Sequence, residues 1–282
     1  MTNAGDLSLV ARAQRAQGTL DLVFGPAPNG EPARLKTLLQ SGCLRARLPR
    51  PQNPGWREVV TLNISGGIAG GDSLATSIHL EAGARVLVAG QAAERVYRAV
   101  AGEPAQVRTI ITVDAGAHLA YLPQETIFYD GFALERHLVI NLAADACYLG
   151  VEMQAFGRHA MGETLRAGWW RDAIRLHREG RLILHDRVRL QGAIDEHLQH
   201  PAVAHGAKAV ATLIMAGPEA SAHLAVLREL WHDSAIVAGA TMVENVLVAR
   251  LLAHSLHDLR RGVAAAVLLL RPARALPRVW QS

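Results

Sequence analysis

Five carboxylates sit where core packing supplies no evident partner: Asp72, Glu125, Asp130, Glu152 and Glu163 each follow a glycine-rich or apolar stretch. Polar groups pressed between core strands cost free energy unless they are paired or useful. Gln124, Glu125 and Thr126 are the sharpest case, wedged between the apolar run ending at Leu122-Pro123 and the resumed run Ile127-Phe128-Tyr129. They suit the capping of a turn. A pair such as Glu125 and Glu152 also has the residue types for acid–base hydrolysis. Histidine offers a second chemistry. His197-x-x-His200, near Asp195, Glu196 and His205, and His254-x-x-His257-Asp258 have donors that nickel or zinc accepts. No Cys-x-x-Cys or His-Glu-x-x-His accompanies them, so no tight metal site is expected. A phosphate loop is the third possibility, since Gly66 and Gly71 have Walker spacing. Asp72 stands where the lysine belongs, and a carboxylate there repels phosphate. No Gly-x-Gly-x-x-Gly opens a helix and no Gly-x-Ser-x-Gly is present, so neither nucleotide binding nor a serine nucleophile is expected.

The elements that must position these groups are mostly strands. With 282 residues, half of them apolar, the chain can bury a real core, and disorder is not expected. Residues 1–18 read as a flexible arm without the features of a signal peptide. Residues 19–282 read as one β-rich domain. Strands are expected over Thr19–Phe24, Leu35–Leu39, Leu44–Leu48 and Val59–Ile64, the last running into Gly66-Gly67-Ile68-Ala69-Gly70-Gly71. Next comes a weak repeat. Ile78 to Val88 and Ile111 to Tyr121 share an acidic-Ala-Gly-Ala turn between two strands, 33 residues apart from Gly83 to Gly116, and Ile140 to Gly150 is a degenerate third copy. None has a helical period, which argues for stacked β layers. Gln91–Arg98 fits a helical turn or a surface strand. Further strands are expected at Trp169–His177 and Leu182–Leu190, joined at Glu179-Gly180.

The last third changes. Pro218-Glu219 opens a helix to about His232, Met242–Leu252 is ambiguous, and Leu256–Leu269 has helical spacing up to Arg271-Pro272. The apolar tail Leu276–Trp280 is expected to dock. No membrane span is expected. Cys43 and Cys147 are too few for a disulfide framework and read as reduced thiols of a cytoplasmic protein. All but Lys36 and Lys208 of the 29 basic residues are Arg, which favours bidentate and interface contacts, although a GC-rich genome gives the same bias. Spread along the sequence without aromatics, these arginines do not support nucleic-acid binding.

Several of these stretches together resemble one family. They are Ser65-Gly66-Gly67-Ile68-Ala69-Gly70-Gly71-Asp72, Gln91-Ala92-Ala93-Glu94-Arg95-Val96-Tyr97-Arg98 and Leu122-Pro123-Gln124-Glu125-Thr126-Ile127-Phe128. With them come Gly157-Arg158 followed by Gly162-Glu163, and Pro277-Arg278-Val279-Trp280. In order and spacing they resemble the UreD (UreH) urease accessory proteins, over roughly residue 19 to the end. Two loop positions depart: Ser65 replaces the family's usual proline, and Gly42-Cys43-Leu44 replaces Gly-Pro-Leu.

The resemblance implies a non-enzymatic scaffold, mainly β, with a two-layer, partly β-helical sheet structure and C-terminal helices. It implies a complex with UreF and the GTPase UreG that docks on apo-urease so that nickel reaches the urease site. GTP would then belong to the partner, and nickel would be in transit rather than stably bound. On this view Asp72, Glu125, Asp130, Glu152 and Glu163 are candidates to line a water-filled passage for the ion. The plainer expectation is that they cap turns and pair with arginines such as Arg98 or Arg158. The competing classes are a hydrolase using Glu125, Glu152 or Asp72, and a β-stacked binding module with no metal role.

Overall fold

Ile78, Ile111 and Ile140, the first residues of the three repeat copies, stand side by side in one parallel ladder, as do Leu80, Val113 and Leu142. The repeat is therefore a stack of coils, each rung placing one strand in each of two sheets. The computed structural model describes residues 14–100, 103–158, 161–232 and 234–281. Its strands begin with β1 (Gln17–Gly25), β2 (Arg34–Gly42), β3 (Leu44–Arg47), β4 (Arg57–Asn63), β5 (Ser73–Leu80) and β6 (Arg85–Gly90). They continue through β7 (Glu94–Val96), β8 (Ala105–Val113), β9 (His118–Leu122), β10 (Thr126–Phe128), β11 (Phe132–Leu142) and β12 (Cys147–Phe156). The hairpin of β13 (Gly168–Arg178) and β14 (Arg181–Gly192) leads to helix α1 (Ile194–Gln199) and β15 (Ala209–Ala216). Helix α2 (Leu224–Leu230), β16 (Val237–Val243), β17 (Val246–Ala253) and α3 (Leu256–Leu270) complete the order.

A seven-stranded sheet runs β14-β13-β11-β8-β5-β1-β2, and a ten-stranded sheet runs β16-β17-β15-β12-β9-β6-β4-β3 with β7 and β10 attached through β12. At each rung the chain crosses from the first sheet to the second: β5 to β6, β8 to β9, β11 to β12. The crossings are the repeat turns. Ala84, Ala117 and Ala146 are buried at successive corners, where only a small side chain fits under the next coil. Gly83 and Gly116 adopt positive φ, and the third corner puts Asp145 there instead, its Oδ1 accepting from the Gly116 amide at 3.0 Å.

One apolar core lies between the sheets, with Leu20, Phe24, Ile78, Ile111, Leu119, Phe128 and Trp170 among its members. A second lies on the outer face of the ten-stranded sheet. There Leu122, Val151, Met153 and Leu213 meet Leu259, Val263, Val267 and Leu270 of α3. Those helix residues fall at the spacing of one face, and Ser255 caps the helix by accepting from the Asp258 amide at 3.1 Å.

The mainly β architecture with late helices agrees with the sequence. Met242–Leu252 resolves into strand, Gln91–Arg98 contains β7, and the helix after Pro218 is shorter than expected, a 3-10 turn over Ala220–His223 followed by α2. Helix α1 lies ahead of Pro218 within the strand-rich part, and β1 begins at Gln17, so the expected arm ends before residue 17. The rest of that arm, residues 1–13, lies outside the described residues.

Candidate functional site

Glu152 is on β12, where alternate side chains face opposite sides. Leu149, Val151 and Met153 point outward to the helices, so Glu152 points between the sheets. Its counterpart comes from the other sheet. Arg136 of β11 reaches Glu152 Oε2 with Nη1 at 2.5 Å and holds Asp172 of β13 with two nitrogens, Nε at 3.0 Å and Nη2 at 2.5 Å. Burial raises the Glu152 carboxyl and Arg136 opposes it. Burial also works against the Arg136 charge, but Asp172 and Glu152 outweigh it and push its pKa higher still. The row continues in register across β12, β15 and β17 as Glu152, Thr212 and Arg250. Arg250 donates to Thr212 Oγ1 at 2.9 Å and pairs with Asp186 of β14 across the sandwich. A polar stratum thus crosses the interior, holding three carboxylates and two guanidinium groups.

Beside it the sheets separate around a cavity of about 320 Å³, lined by Glu152, Arg136, Tyr121, Thr109, Thr126 and Glu94 among others. The cavity extends to exposed Gly66, Gln91 and Ala92. Asn63 Nδ2 donates to both oxygens of Glu94, at 3.3 and 3.2 Å. Burial pushes the Glu94 carboxyl up to about 7, with the Asn63 hydrogen bonds offsetting part of the rise. A carboxylate that gains and loses a proton near neutrality can exchange it for a cation at little cost.

Of the five sequence candidates, Glu152 alone lines this cavity. Asp72 accepts from the amides of Ala16 (Oδ1, 2.8 Å) and Ala69 (Oδ2, 2.7 Å), pinning the start of β1 to the glycine segment. Glu125 meets Arg260 of α3 at 2.5 Å, and the same guanidinium reaches Gln124 Oε1 at 2.7 Å. Gln124 Nε2 donates to the Val279 carbonyl, and Trp280 Nε1 donates to the Leu122 carbonyl at 3.1 Å. The tail docks, and it docks on the segment that contains Pro123. Asp130 and Glu163 come together: Glu163 Oε1 accepts from the Asp130 amide at 3.2 Å, while Asp130 Oδ1 accepts from the amides of Arg166 and Ala167. Arg98 pairs with Asp130 at 2.7 Å and Arg158 with Glu163 at 2.9 Å.

The glycines serve the same loop cluster. Gly67 has φ +144, and a Cβ there would lie 2.8 Å from the Arg95 carbonyl and strike the Tyr97 ring. Tyr97 OH donates to the Gly66 carbonyl at 3.0 Å. Gly70 abuts Ala99, Gly71 and Gly157 have positive φ, and a strand rather than a helix follows Asp72, unlike a phosphate loop. The motif residues Gly66, Gly67, Tyr97, Arg98, Gly157 and Arg158 thus lock crossings at one end of the coil. Gln91 sits at the mouth of the cavity.

The histidine groups make local bonds. His197 Nε2 contacts the Gln191 carbonyl at 2.9 Å, His200 Nδ1 accepts from the Ala202 amide at 3.2 Å, and His254 and His257 are exposed. Among the described residues no group of three or more His, Cys, Asp or Glu is arranged to hold a metal ion, and no helix is long and apolar enough to cross a membrane. Sequence reasoning missed Glu94, Arg136 and Asp172. Arg136 and Asp172 carry a signal: each interrupts the inward apolar phase of its strand, between Leu134 and Leu138 and between Trp170 and Ile174.

A family model described as UreD urease accessory protein matches residues 16–281. The chain is 41% identical over 269 residues to the urease accessory protein UreD of Azorhizobium caulinodans, covering 95% of this chain and 97% of that one. It is 42% identical to the protein of the same name from Methylobacterium sp. (strain 4-46), covering 96% of each chain. It is also 42% identical to that of Ruegeria pomeroyi, covering 89% of this chain and 96% of the relative. With its coiled two-sheet fold and its interlocked glycine, Leu-Pro-Gln-Glu and C-terminal Trp segments, the chain belongs to the UreD family of urease accessory proteins.

Proposed function

We propose that this chain is a cytoplasmic scaffold of urease maturation. In this reading it acts with UreF and the GTPase UreG on apo-urease, and nickel crosses it through the space between its sheets. Family membership supports the coarse role, a non-enzymatic accessory protein of urease. The observation that carries the finer reading is the cavity, which leads from exposed Gln91 past Glu94 to Glu152 and Arg136. Weak oxygen sites suit transit, since an ion must be admitted and then released. In that role Glu94 receives the hydrated ion, and Arg136 keeps the two carboxylates beyond it from trapping it. The polar stratum through Thr212 to Arg250 and Asp186 continues the route toward β14 and β17. The hydrolase reading loses ground because Asp72, Glu125 and Glu152 have separate partners on separate elements.

The test uses the full assembly with apo-urease, UreF and UreG. Glu94→Gln and Glu152→Gln are each expected to leave assembly on a sizing column intact while lowering the nickel content of urease. Glu125→Gln, outside the cavity, is the control expected to load normally once assembled. Normal loading by both cavity variants would overturn the passage.

A further inference from the structure

Arginines scattered along the sequence are gathered by the fold onto one surface. On the outer face of the seven-stranded sheet, the pairing of β8, β11, β13 and β14 sets three cross-strand rows. They are Gln106–Glu135–Arg171–Arg189, Arg108–His137–Ala173–Arg187 and Ile110–Val139–Arg175–His185. The inward neighbours Leu134, Leu138, Trp170 and Ile174 are buried in the inter-sheet core, which fixes the other phase as outward. On these four strands the three rows hold five arginines and one carboxylate, an excess of four that equals the formal net charge of the whole chain. The rest of the molecule sums to neutral.

These arginines also lack the carboxylate partners that some other surface cations have. Arg98, Arg158, Arg181 and Lys36 each pair with a carboxylate. Among the described residues, Arg108, Arg171, Arg175, Arg187 and Arg189 form no ion pair. Arg189 donates to Gln191 at 3.3 Å, and Arg171 lies 4.8 Å over the Trp169 ring. Glu135, the lone acid, is bonded by Gln106 at 3.1 Å and by His137 at 3.3 Å. Arg171 and Arg189 are directly opposite each other, a like-charge pairing that disfavours the sheet in isolation. A rigid face that keeps such a pairing is arranged for charge arriving from outside.

We propose that this outer face is a docking surface for a protein face rich in Asp and Glu. Arginine forks bind carboxylates bidentately, and arginine with tryptophan is the composition of binding hot spots. Four strands at about 4.8 Å spacing span about 14 Å, the size of an interface centre rather than of a whole interface. A nucleic acid fits less well. Glu135 sits among the arginines against a continuous phosphate chain, and the one aromatic ring is covered by Arg171 rather than free to stack on bases.

The test measures binding of the full chain to a poly-glutamate peptide, a DNA duplex and phosphatidylserine vesicles, at low and moderate salt. The triple variant Arg171→Glu, Arg187→Glu, Arg189→Glu is compared with its Gln counterpart and with Arg34→Glu, on β2 at the far edge of the same sheet. The peptide is expected to bind the wild type best. The affinity should fall about tenfold or more in the triple Glu variant, less in the Gln variant, and within about twofold in Arg34→Glu. Each comparison is made on protein whose melting temperature matches the wild type, with the Gln variant deciding if the Glu variant does not fold. Unchanged binding by the folded triple variant would overturn the proposal. So would tighter binding of DNA or vesicles, or equal loss in Arg34→Glu.

Discussion

The two sheets share an inner core and differ on their outer faces. Outside the ten-stranded sheet, Leu122, Val151, Met153 and Leu213 are roofed by α3, and the tail ends in buried Trp280. Outside the seven-stranded sheet, the equivalent positions of β8, β11, β13 and β14 hold Arg108, Glu135, Arg171, Arg175, Arg187 and Arg189, and most of these are exposed. Parallel strands need cover on both sides when both sides are apolar. The fold therefore places α2 and α3 over one sheet and leaves the outer face of the other as a charged plate. One face is built to be closed within the chain and the other to meet something beyond it.

The largest test of that contrast removes side chains from each face. Leu259→Ala, under the roof and fully buried, should cost about 3 kcal/mol, because a cavity opens between α3 and β17. Val139→Ala, on the open face and half-buried, should cost less than about 1 kcal/mol. Urea unfolding of the two variants measures both. Similar costs would mean that the open face is covered too.

Between the faces, the pH dependence of stability should report Glu94. Its carboxyl titrates near 7 in the folded chain and near 4.5 as the reference, so the folded state holds the extra proton between those values. Stability should therefore fall as pH rises from about 4.5 to about 7, by at most about 3 kcal/mol. Glu94→Gln should flatten that part of the profile. An unchanged profile would place the slope elsewhere.

The roof's anchor comes next. Arg260→Ala strands Glu125, whose side chain is 9% exposed, and should cost about 1–3 kcal/mol. Glu125→Gln in the same background should recover part of the loss, since a neutral amide no longer needs the cation. If the double variant is no better than Arg260→Ala alone, the pair does not hold the roof.

The same contrast explains how much was legible in the sequence. Trp169–His177 and Leu182–Leu190 alternate because one side faces the core and the other faces water, so their strands were readable. Met242–Leu252 joins the end of β16, a turn and β17, and in β17 the half-buried positions Val248 and Leu252 are as apolar as the buried Leu247, Ala249 and Leu251, so the residue types show no clean period. The helix face of Leu256–Leu269 and the docking tail were visible for the opposite reason, since each presents one apolar side. The candidate site was less legible. Asp72, Asp130 and Glu163 stood out beside glycines, and their partners are backbone amides and arginines of the crossings. Glu94 lies between Ala93 and Arg95 in a stretch without a clear period, and only the pairing of β7 with β10 brings it to the cavity. Asp172 gains meaning only from Arg136, 36 residues earlier on a neighbouring strand.

The smallest expected effect is the most telling about the open face. Arg189→Ala deletes a large side chain, and on the roofed sheet such a loss would always destabilise. Here Arg189 faces Arg171 across the β13–β14 ladder, with Gln191 its hydrogen-bond partner among the described residues. Removing it relieves a like-charge pair while giving up little packing. Stability should stay level or rise by about 0.5 kcal/mol, more at low salt, where screening is weakest. Urea titrations at two ionic strengths, with an unchanged denaturant slope, are the measurement. A loss above about 1 kcal/mol would mean that the arginine stem packs against the sheet as structure. A gain that disappears in high salt is what a face kept charged for an outside partner requires, because the repulsion there is offset only when opposite charge arrives.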